Sequence, residues 1–183
     1  SLTLNNMYDA TDHLLTANDD ATRDLETSTF AQKAGWMIRL ANGGEKVLAS
    51  PLIINYKLFF TTYVPATASA SLCAPPTGTS RAYLVELING NAVTDLDNDG
   101  VDEHEDRYAD LQQTGIAPET KILIEDITQP VVCLGTECTS AVIDVDDDGN
   151  PVNCGTQFEC LAEQIYGRFD RVQKSSWKTE IER

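Results

Sequence analysis

Hydrophobic and polar residues are spaced along this chain as they are in proteins built from short β-strands. The segment that begins at Trp36 alternates apolar and polar residues, which is typical of a half-buried strand. Asn55-Tyr56 has the length of a tight hairpin turn, and Asn89-Gly90 is a pair suited to left-handed turns. The pattern predicts strands at 36–40, 46–54, 57–63, 82–88, 121–127, 131–134 and 141–145.

Helical spacing of apolar residues is limited to two short segments. It predicts one helix over 21–33 and another over 158–166. Residues 64–80 are rich in Pro, Ala, Ser and Thr, which predicts a long surface loop. Short strands separated by turns and loops favour a mainly β fold with antiparallel sheets and few short helices.

Length and charge limit the classes of protein to consider. The 183 residues are enough for one substantial core or two small ones, and the apolar runs argue against intrinsic disorder. A formal net charge of −16 excludes nucleic acid and anionic membrane surfaces as favourable partners. No run approaches the ~18 apolar residues of a membrane span, so we expect no membrane insertion. The first residues lack the basic region of a signal peptide, and we expect a mature chain or a piece of a longer one.

Many of the acidic residues are concentrated in two segments. Eight of them lie within 95–110, and four more lie within 144–148. Carboxylates packed this densely indicate a bound cation, because calcium is held in proteins by oxygen ligands.

The first acidic segment has the spacing of a calcium-binding loop. With Asp95 as position 1, acidic residues also occupy positions 3, 5, 9 and 12, and a glycine at position 6 permits the sharp turn. The predicted Ca²⁺ ligands are Asp95, Asp97, Asp99, Val101 through its carbonyl, Glu103 and Asp106. No clear helix precedes the loop, which predicts a calcium loop inserted between strands. The alternative is a solvated acidic loop.

The second acidic segment meets only part of this spacing. Positions 1, 3, 5 and 7 are occupied by Asp144, Asp146, Asp148 and Asn150. Positions 9 and 12 are Val152 and Gly155, so the closing carboxylate is missing. A weaker cation site and a plain acidic turn both remain open.

The cysteines are better suited to disulfides than to zinc. Their spacing does not give the close pairs of a zinc site, and both histidines lie far from them in sequence. Disulfides in an oxidising compartment fit better. We predict the local pairs Cys133–Cys138 and Cys154–Cys160 and leave Cys73 unassigned. Spacing alone does not exclude other pairings.

Motifs for catalysis are missing from the sequence. It has no Gly-x-Ser-x-Gly, no His-Glu-x-x-His and no phosphate-binding glycine loop. We therefore predict that the chain is not an enzyme. His104, inside the first acidic loop, is expected to be solvated, and Trp36 and Trp177 are expected to anchor packing.

Several longer motifs occur in a distinctive order. They are Gly35-Trp36-Met37-Ile38-Arg39-Leu40, Gly44-Glu45-Lys46-Val47-Leu48-Ala49-Ser50-Pro51-Leu52 and Phe59-Phe60-Thr61-Thr62-Tyr63-Val64-Pro65, with Asn5-Asn6-Met7-Tyr8-Asp9 before them and Gly115-Ile116-Ala117-Pro118 after them. Together they resemble the C-terminal region of PilY-type proteins, the tip-associated adhesins of bacterial type IV pili.

The resemblance implies the last blades of a modified β-propeller followed by a C-terminal extension. It implies a secreted protein at the pilus tip on the bacterial cell surface, with calcium in the first acidic loop. The implied partners are minor pilus subunits or other pilus components, and a host or abiotic surface. We treat 1–183 as one β-rich region, with blade-like strands over 1–90 and an extension with the calcium loop and disulfides over 91–183.

The preferred hypothesis is a calcium-binding, non-catalytic module for type IV pilus assembly and surface attachment. Two alternatives remain. The strand pattern around Ser50-Pro51 and 82–90 is also similar to propeller blades of quinoprotein dehydrogenases, which use calcium to orient a quinone. The chain could instead be a subunit of an extracellular filament.

Overall fold

The fold is described from a computed structural model. The structure describes residues 2–12, 14–17, 19–66, 77–96, 101–123, 131–138, 144–145, 151–152, 158 and 160–161. Among these residues the protein is mainly β, with antiparallel sheets and one α-helix, and they form no closed barrel.

The strands are short except for three in the middle of the chain. They are β1 (Tyr8–Asp9), β2 (Trp36–Met37), β3 (Lys46–Val47), β4 (Leu52–Ile54), β5 (Lys57–Val64), β6 (Thr79–Glu86), β7 (Tyr108–Thr114), β8 (Lys121–Leu123), β9 (Val131–Leu134), β10 (Glu137–Cys138), β11 (Asp144–Val145) and β12 (Pro151–Val152). Helix α1 spans Asp20–Phe30, and 3₁₀ turns lie at Leu4–Asn6, Leu14–Thr16 and Glu105–Arg107.

A five-stranded antiparallel sheet forms the centre of the protein. Strands β5, β6 and β7 lie side by side, and β3 and β4 both pair with the free edge of β5. Because β7 pairs with β6, residues after position 91 complete a sheet begun by residues before position 90.

One face of this sheet carries the hydrophobic core. Phe59 lies opposite Leu84, and Ala82 lies opposite Ala109, so their side chains share that face. The small sheet β8–β9–β10 contributes further apolar side chains to the same cluster. The buried core consists of Phe59, Ala82, Leu84, Ala109, Leu111, Ala117, Val132, Leu134, Phe158 and Leu161.

The opposite face of the sheet carries an aromatic row. Phe60 stacks on Tyr83 with ring centroids 4.9 Å apart, and Tyr83 contacts Tyr108 at 5.2 Å. Arg81 lies over the Tyr108 ring at 4.2 Å and pairs with the exposed Asp110. This face therefore combines aromatic packing with polar groups, which makes it distinct from the apolar core face.

The N-terminal region is attached through short contacts. Strand β1 pairs in parallel with β2, where Tyr8 lies opposite Trp36. Asp19 caps α1 by accepting a hydrogen bond from the Thr22 backbone N–H at 2.9 Å. The helix has no buried residue and contacts β1 through Phe30, whose ring meets the Tyr8 ring edge-on at 5.4 Å.

Several predicted elements are confirmed. The helix expected over 21–33 is α1, and the strand expected at 131–134 is β9. The two-residue hairpin is present between β4 and β5, with positive φ at both Asn55 and Tyr56. Residues 158, 160 and 161 are helical, within the second predicted helix.

Other predicted boundaries are wrong. The strand expected over 46–54 is two strands, because Pro51 has no N–H to donate and interrupts the pairing with β5. The strand expected over 82–88 begins earlier, at Thr79, and ends at Glu86. Strand β2 is shorter than the predicted 36–40. The strand expected at 121–127 is described only at Lys121–Leu123, and most of the loop expected at 64–80 lies outside the described residues.

The turn after β6 requires a glycine. Gly90 has a φ of 74°, and a Cβ atom placed there would lie 2.6 Å from the indole ring of Trp36. The indole is fixed in place because its Nε1 donates to the Leu87 carbonyl at 2.9 Å. Trp36 is therefore a packing anchor, as expected from the sequence.

Replacing Gly90 with alanine is expected to cost about 2–4 kcal/mol of unfolding free energy, from backbone strain plus the collision with Trp36. Gly115→Ala is the matched control, because Gly115 has a φ of 91° but open space around a Cβ. The control should cost only about 1 kcal/mol. Urea unfolding measures both, and equal losses would contradict the packing role of Gly90.

The disulfide between Cys133 and Cys138 is confirmed. It joins directly opposed residues of β9 and β10. Next to it, Glu137 accepts the Gln113 backbone N–H at 2.6 Å, and Gln113 donates to the Leu134 carbonyl at 2.9 Å. The disulfide therefore holds the hairpin that rests against the edge of the central sheet.

Removing this disulfide is expected to lower the unfolding free energy by about 2 kcal/mol, since the bond closes a short loop in the unfolded chain. The double substitution Cys133→Ala with Cys138→Ala tests this in urea unfolding. Unchanged stability would show that the hairpin is held by its other contacts alone.

Candidate functional site

The first acidic loop lies between the end of the β6 region and β7. Of its predicted ligands, Asp95, Val101, Glu103 and Asp106 are among the described residues. Asp97 and Asp99 lie outside them, so the structure does not place these two carboxylates.

Asp106 closes the described part of the loop. Its side chain is only 1% exposed. One carboxylate oxygen accepts the Leu96 backbone N–H at 2.7 Å, and the other accepts the Glu103 backbone N–H at 2.8 Å. Leu96 and Glu103 are positions 2 and 9 of the loop, so a single buried carboxylate holds together two backbone points seven residues apart in sequence.

This arrangement makes Asp106 a positioning residue for the loop. Each carboxylate oxygen of Asp106 accepts one of these hydrogen bonds from the described residues. Its direct ligation of calcium, which the sequence predicts, stays a prediction.

Negative charge is concentrated beside the loop. Burial, followed by the charges of Asp106, Asp95 and Glu86, raises the pKa of the Asp102 carboxyl above its ordinary value. Burial is the larger cause, and the three neighbouring carboxylates add negative charge that favours a cation. Asp102 was not among the predicted ligands, because position 8 has no role in the calcium-loop pattern.

The donor chemistry of the surroundings fits calcium. Two side-chain oxygens in the segment leading into the loop, Asn91 Oδ1 and Thr94 Oγ1, are buried and have no hydrogen-bond partner in the described structure. Both residues are 8% exposed. Neutral and carboxylate oxygens are the ligands that calcium prefers. Among the described residues alone, no group of three or more His, Cys, Asp or Glu side chains forms a metal site.

The turn that carries Asp106 also carries a buried cation. Arg107 is fully buried, and its guanidinium donates to the backbone carbonyls of Ala10 and Thr11, to the latter at 2.9 Å. Burial lowers the pKa of Arg107 to about 10. One signal in the sequence could have indicated this residue, because Arg107 is the only Lys or Arg within 95–110.

His104 is half-buried rather than solvated, which corrects the expectation from the sequence. Its Nδ1 lies 3.1 Å from an Arg107 nitrogen, and its ring meets the Tyr108 ring at 5.8 Å. Burial, with the Arg107 charge, lowers the pKa of His104. These contacts assign the imidazole a packing role in the turn.

Glu45 is a second buried carboxylate, on the aromatic face of the sheet. It accepts the Thr62 hydroxyl at 2.6 Å and the Asn42 side-chain amide at 2.9 Å. These hydrogen bonds tie the Asn42 turn to β5, so Glu45 is used in the fold itself.

The second acidic segment is described only at its start. Asp144 and Val145 form β11, which pairs antiparallel with β12, Pro151–Val152. The other predicted ligands, Asp146, Asp148 and Asn150, lie outside the described residues. The structure therefore shows only the two paired strands on either side of residues 146–150, and both interpretations of this segment stay open.

Of the other three cysteines, the structure describes only Cys160. Cys160 is disulfide-bonded. Its predicted partner Cys154 and the unassigned Cys73 lie outside the described residues. Trp177 also lies outside them, so its expected packing role stays a prediction.

Comparison with known proteins gives no relative. No family model, no curated protein and no solved structure matches the chain. In the part of the chain that the structure describes, no helix has the length and apolar character needed to cross a membrane.

Proposed function

We propose that this chain is a calcium-binding, disulfide-stabilised module without enzymatic activity. The observation that carries the proposal is Asp106, a buried carboxylate that holds both sides of an acidic loop with calcium-loop spacing. In this proposal Asp95, Asp97, Asp99, the Val101 carbonyl and Glu103 hold the ion, with Asp106 closing the loop. The bound calcium supplies positive charge that offsets the crowded carboxylates and fixes the loop.

The electrostatics of the loop support this assignment. Without a cation, burial and then the charges of Asp106, Asp95 and Glu86 raise the pKa of Asp102 and oppose its ionisation. A divalent ion reverses that effect, because it stabilises the ionised form of each neighbouring carboxylate. The disulfide between Cys133 and Cys138 supports an oxidising, extracellular setting, which is also rich in calcium.

We further propose, from the sequence resemblance, that the module belongs to a secreted pilus-tip adhesin. Its central antiparallel sheet would be part of the last blades of a modified β-propeller, and the loop and disulfides would form the extension. The partners would be minor pilus subunits or other pilus components and a host or abiotic surface. The pilus-tip role is tested by fixing the purified chain to a surface and measuring how much of the pilus components it binds, with and without calcium.

Calcium is expected to raise the thermal unfolding midpoint. At a free concentration of about 100 times the Kd, binding to the folded state alone adds about 2.7 kcal/mol, equivalent to about 5–10 °C for a chain of this size. The measurement compares calcium with a chelator, and magnesium at the same concentration controls for ionic strength. A midpoint that does not move at saturating calcium would count against a folded-state calcium site.

A further inference from the structure

Two adjacent buried side chains connect the acidic loop with the N-terminal part of the protein. They are Asp106 and Arg107, both on the 3₁₀ turn Glu105–Arg107. Asp106 is 1% exposed and Arg107 is 0% exposed. One of them holds the acidic loop, and the other holds residues 8–12, which we call the N-terminal strap.

The N-terminal strap is held on several sides, among them by a hydrogen bond from the Tyr8 hydroxyl to Glu26 and by an ion pair between Asp9 and Arg39. The Tyr8 N–H donates to the Gly35 carbonyl at 2.8 Å, and the Ala10 N–H donates to the Met37 carbonyl at 2.9 Å. On its other side, the Ala10 and Thr11 carbonyls accept hydrogen bonds from Arg107. Arg107 therefore provides the strap with charge-assisted hydrogen bonds, which are stronger than neutral ones.

The strap and the end of the acidic loop also face each other across a cleft. The cleft has a volume of about 380 Å³. Its walls include Thr11 and Asp12 from the strap, Arg39 and Leu40 after β2, and Glu103 and His104 from the loop. The loop end and the strap are therefore neighbours at this cleft, and Arg107 supplies the direct hydrogen bonds between the turn and the strap.

We propose that calcium occupancy of the acidic loop and docking of the N-terminal strap are coupled through the Glu105–Arg107 turn. This inference rests on the proposed calcium site. An ion that fixes the loop also fixes the Leu96 and Glu103 N–H groups that hold Asp106. Because Arg107 is the next residue, a fixed turn presents its guanidinium to the strap at a smaller loss of conformational entropy.

Coupling between two sites is reciprocal, so it can be tested both by adding calcium to the loop and by loosening the strap. On the calcium side, hydrogen exchange of the Tyr8 and Ala10 amides is measured at saturating calcium and in chelator. The coupling predicts at least about fivefold slower exchange with calcium, the lower end of typical coupling. Amides of the β4–β5 hairpin serve as the internal control and should change less.

The outcomes separate this inference from the proposed function. If calorimetry shows calcium binding while Tyr8 and Ala10 exchange at unchanged rates, the coupling is wrong and the calcium site stands. If calorimetry shows no calcium binding, the proposed function fails and the coupling fails with it.

On the strap side, the test is Thr11→Ala. The Thr11 hydroxyl accepts the Arg39 backbone N–H at 2.9 Å, so its removal loosens the strap and keeps the carbonyl that Arg107 uses. The variant is expected to bind calcium up to about fivefold more weakly. Thr22→Ala is the control, because it removes only the hydrogen bond that the Thr22 hydroxyl donates to Asp19 at the start of α1 and should leave calcium affinity unchanged. Faster exchange at Ala10 with unaltered calcium affinity in Thr11→Ala would overturn the coupling.

Discussion

Replacing Arg107 with alanine is expected to lower the unfolding free energy by about 3 kcal/mol or more. The substitution leaves the carbonyls of the buried Ala10 and the partly buried Thr11 without the guanidinium donor. It also opens a cavity, because Arg107 is among the largest fully buried side chains. Hydrogen bonds to a charged group contribute about 1.5–3 kcal/mol each, so two losses exceed the usual effect of a single substitution.

Urea unfolding measures this effect, and two further variants interpret it. Arg107→Met fills most of the volume without donating hydrogen bonds, and it should remain destabilised because the carbonyls stay unsatisfied. Arg23→Ala removes a partly exposed arginine that pairs with Asp20 on α1 and donates to the Ala17 carbonyl, and it should cost about 1 kcal/mol, less than Arg107→Ala. A loss of unfolding free energy below about 1 kcal/mol for Arg107→Ala would contradict this role, because it would show that water satisfies the two carbonyls in place of the guanidinium.

Replacing Asp106 with alanine is expected to weaken calcium binding by about 10–100-fold. The Leu96 and Glu103 N–H groups lose their shared acceptor, so the two sides of the loop are no longer held for the ion. Asp106→Asn should not rescue the affinity, because an amide offers one oxygen where the loop presents two donors.

The control for this comparison is Asp24→Ala on the exposed surface of α1, which removes the same charge. It should leave the affinity within about twofold, since isolated surface charges act weakly through solvent. Full calcium affinity in Asp106→Ala would show that the loop forms without its buried carboxylate, and the positioning role would be wrong.

Sequence patterns predicted the parts of the fold that depend on residues adjacent in sequence. The turn at Asn55-Tyr56 and the glycine at position 90 follow from local backbone geometry, and both are present. Strand β7 was missed because it directly follows the acidic segment and its buried face has only two apolar residues, Ala109 and Leu111. Its pairing with β6 puts Asp110 beside Arg81, a contact that only the assembled sheet provides.

The candidate site was predictable to a similar extent. Spacing identified the acidic loop and Asp106 as its last position. The hydrogen bonds that make Asp106 a positioning residue could not be read from spacing, because they depend on how the Glu105–Arg107 turn packs against β6 and β7. Arg107 stabilises the strap almost one hundred residues earlier in the chain, and no local pattern encodes such a contact.

Isothermal titration of the chain with calcium tests the central claim most directly. The wild type should give a saturable binding heat, and the double substitution Asp97→Ala with Asp99→Ala should abolish the binding at the first loop. The pair Asp20→Ala with Asp24→Ala removes the same charge from α1 and should bind calcium as the wild type does. No heat for the wild type, or equal binding by the Asp97 and Asp99 variant, would contradict a calcium site in this loop.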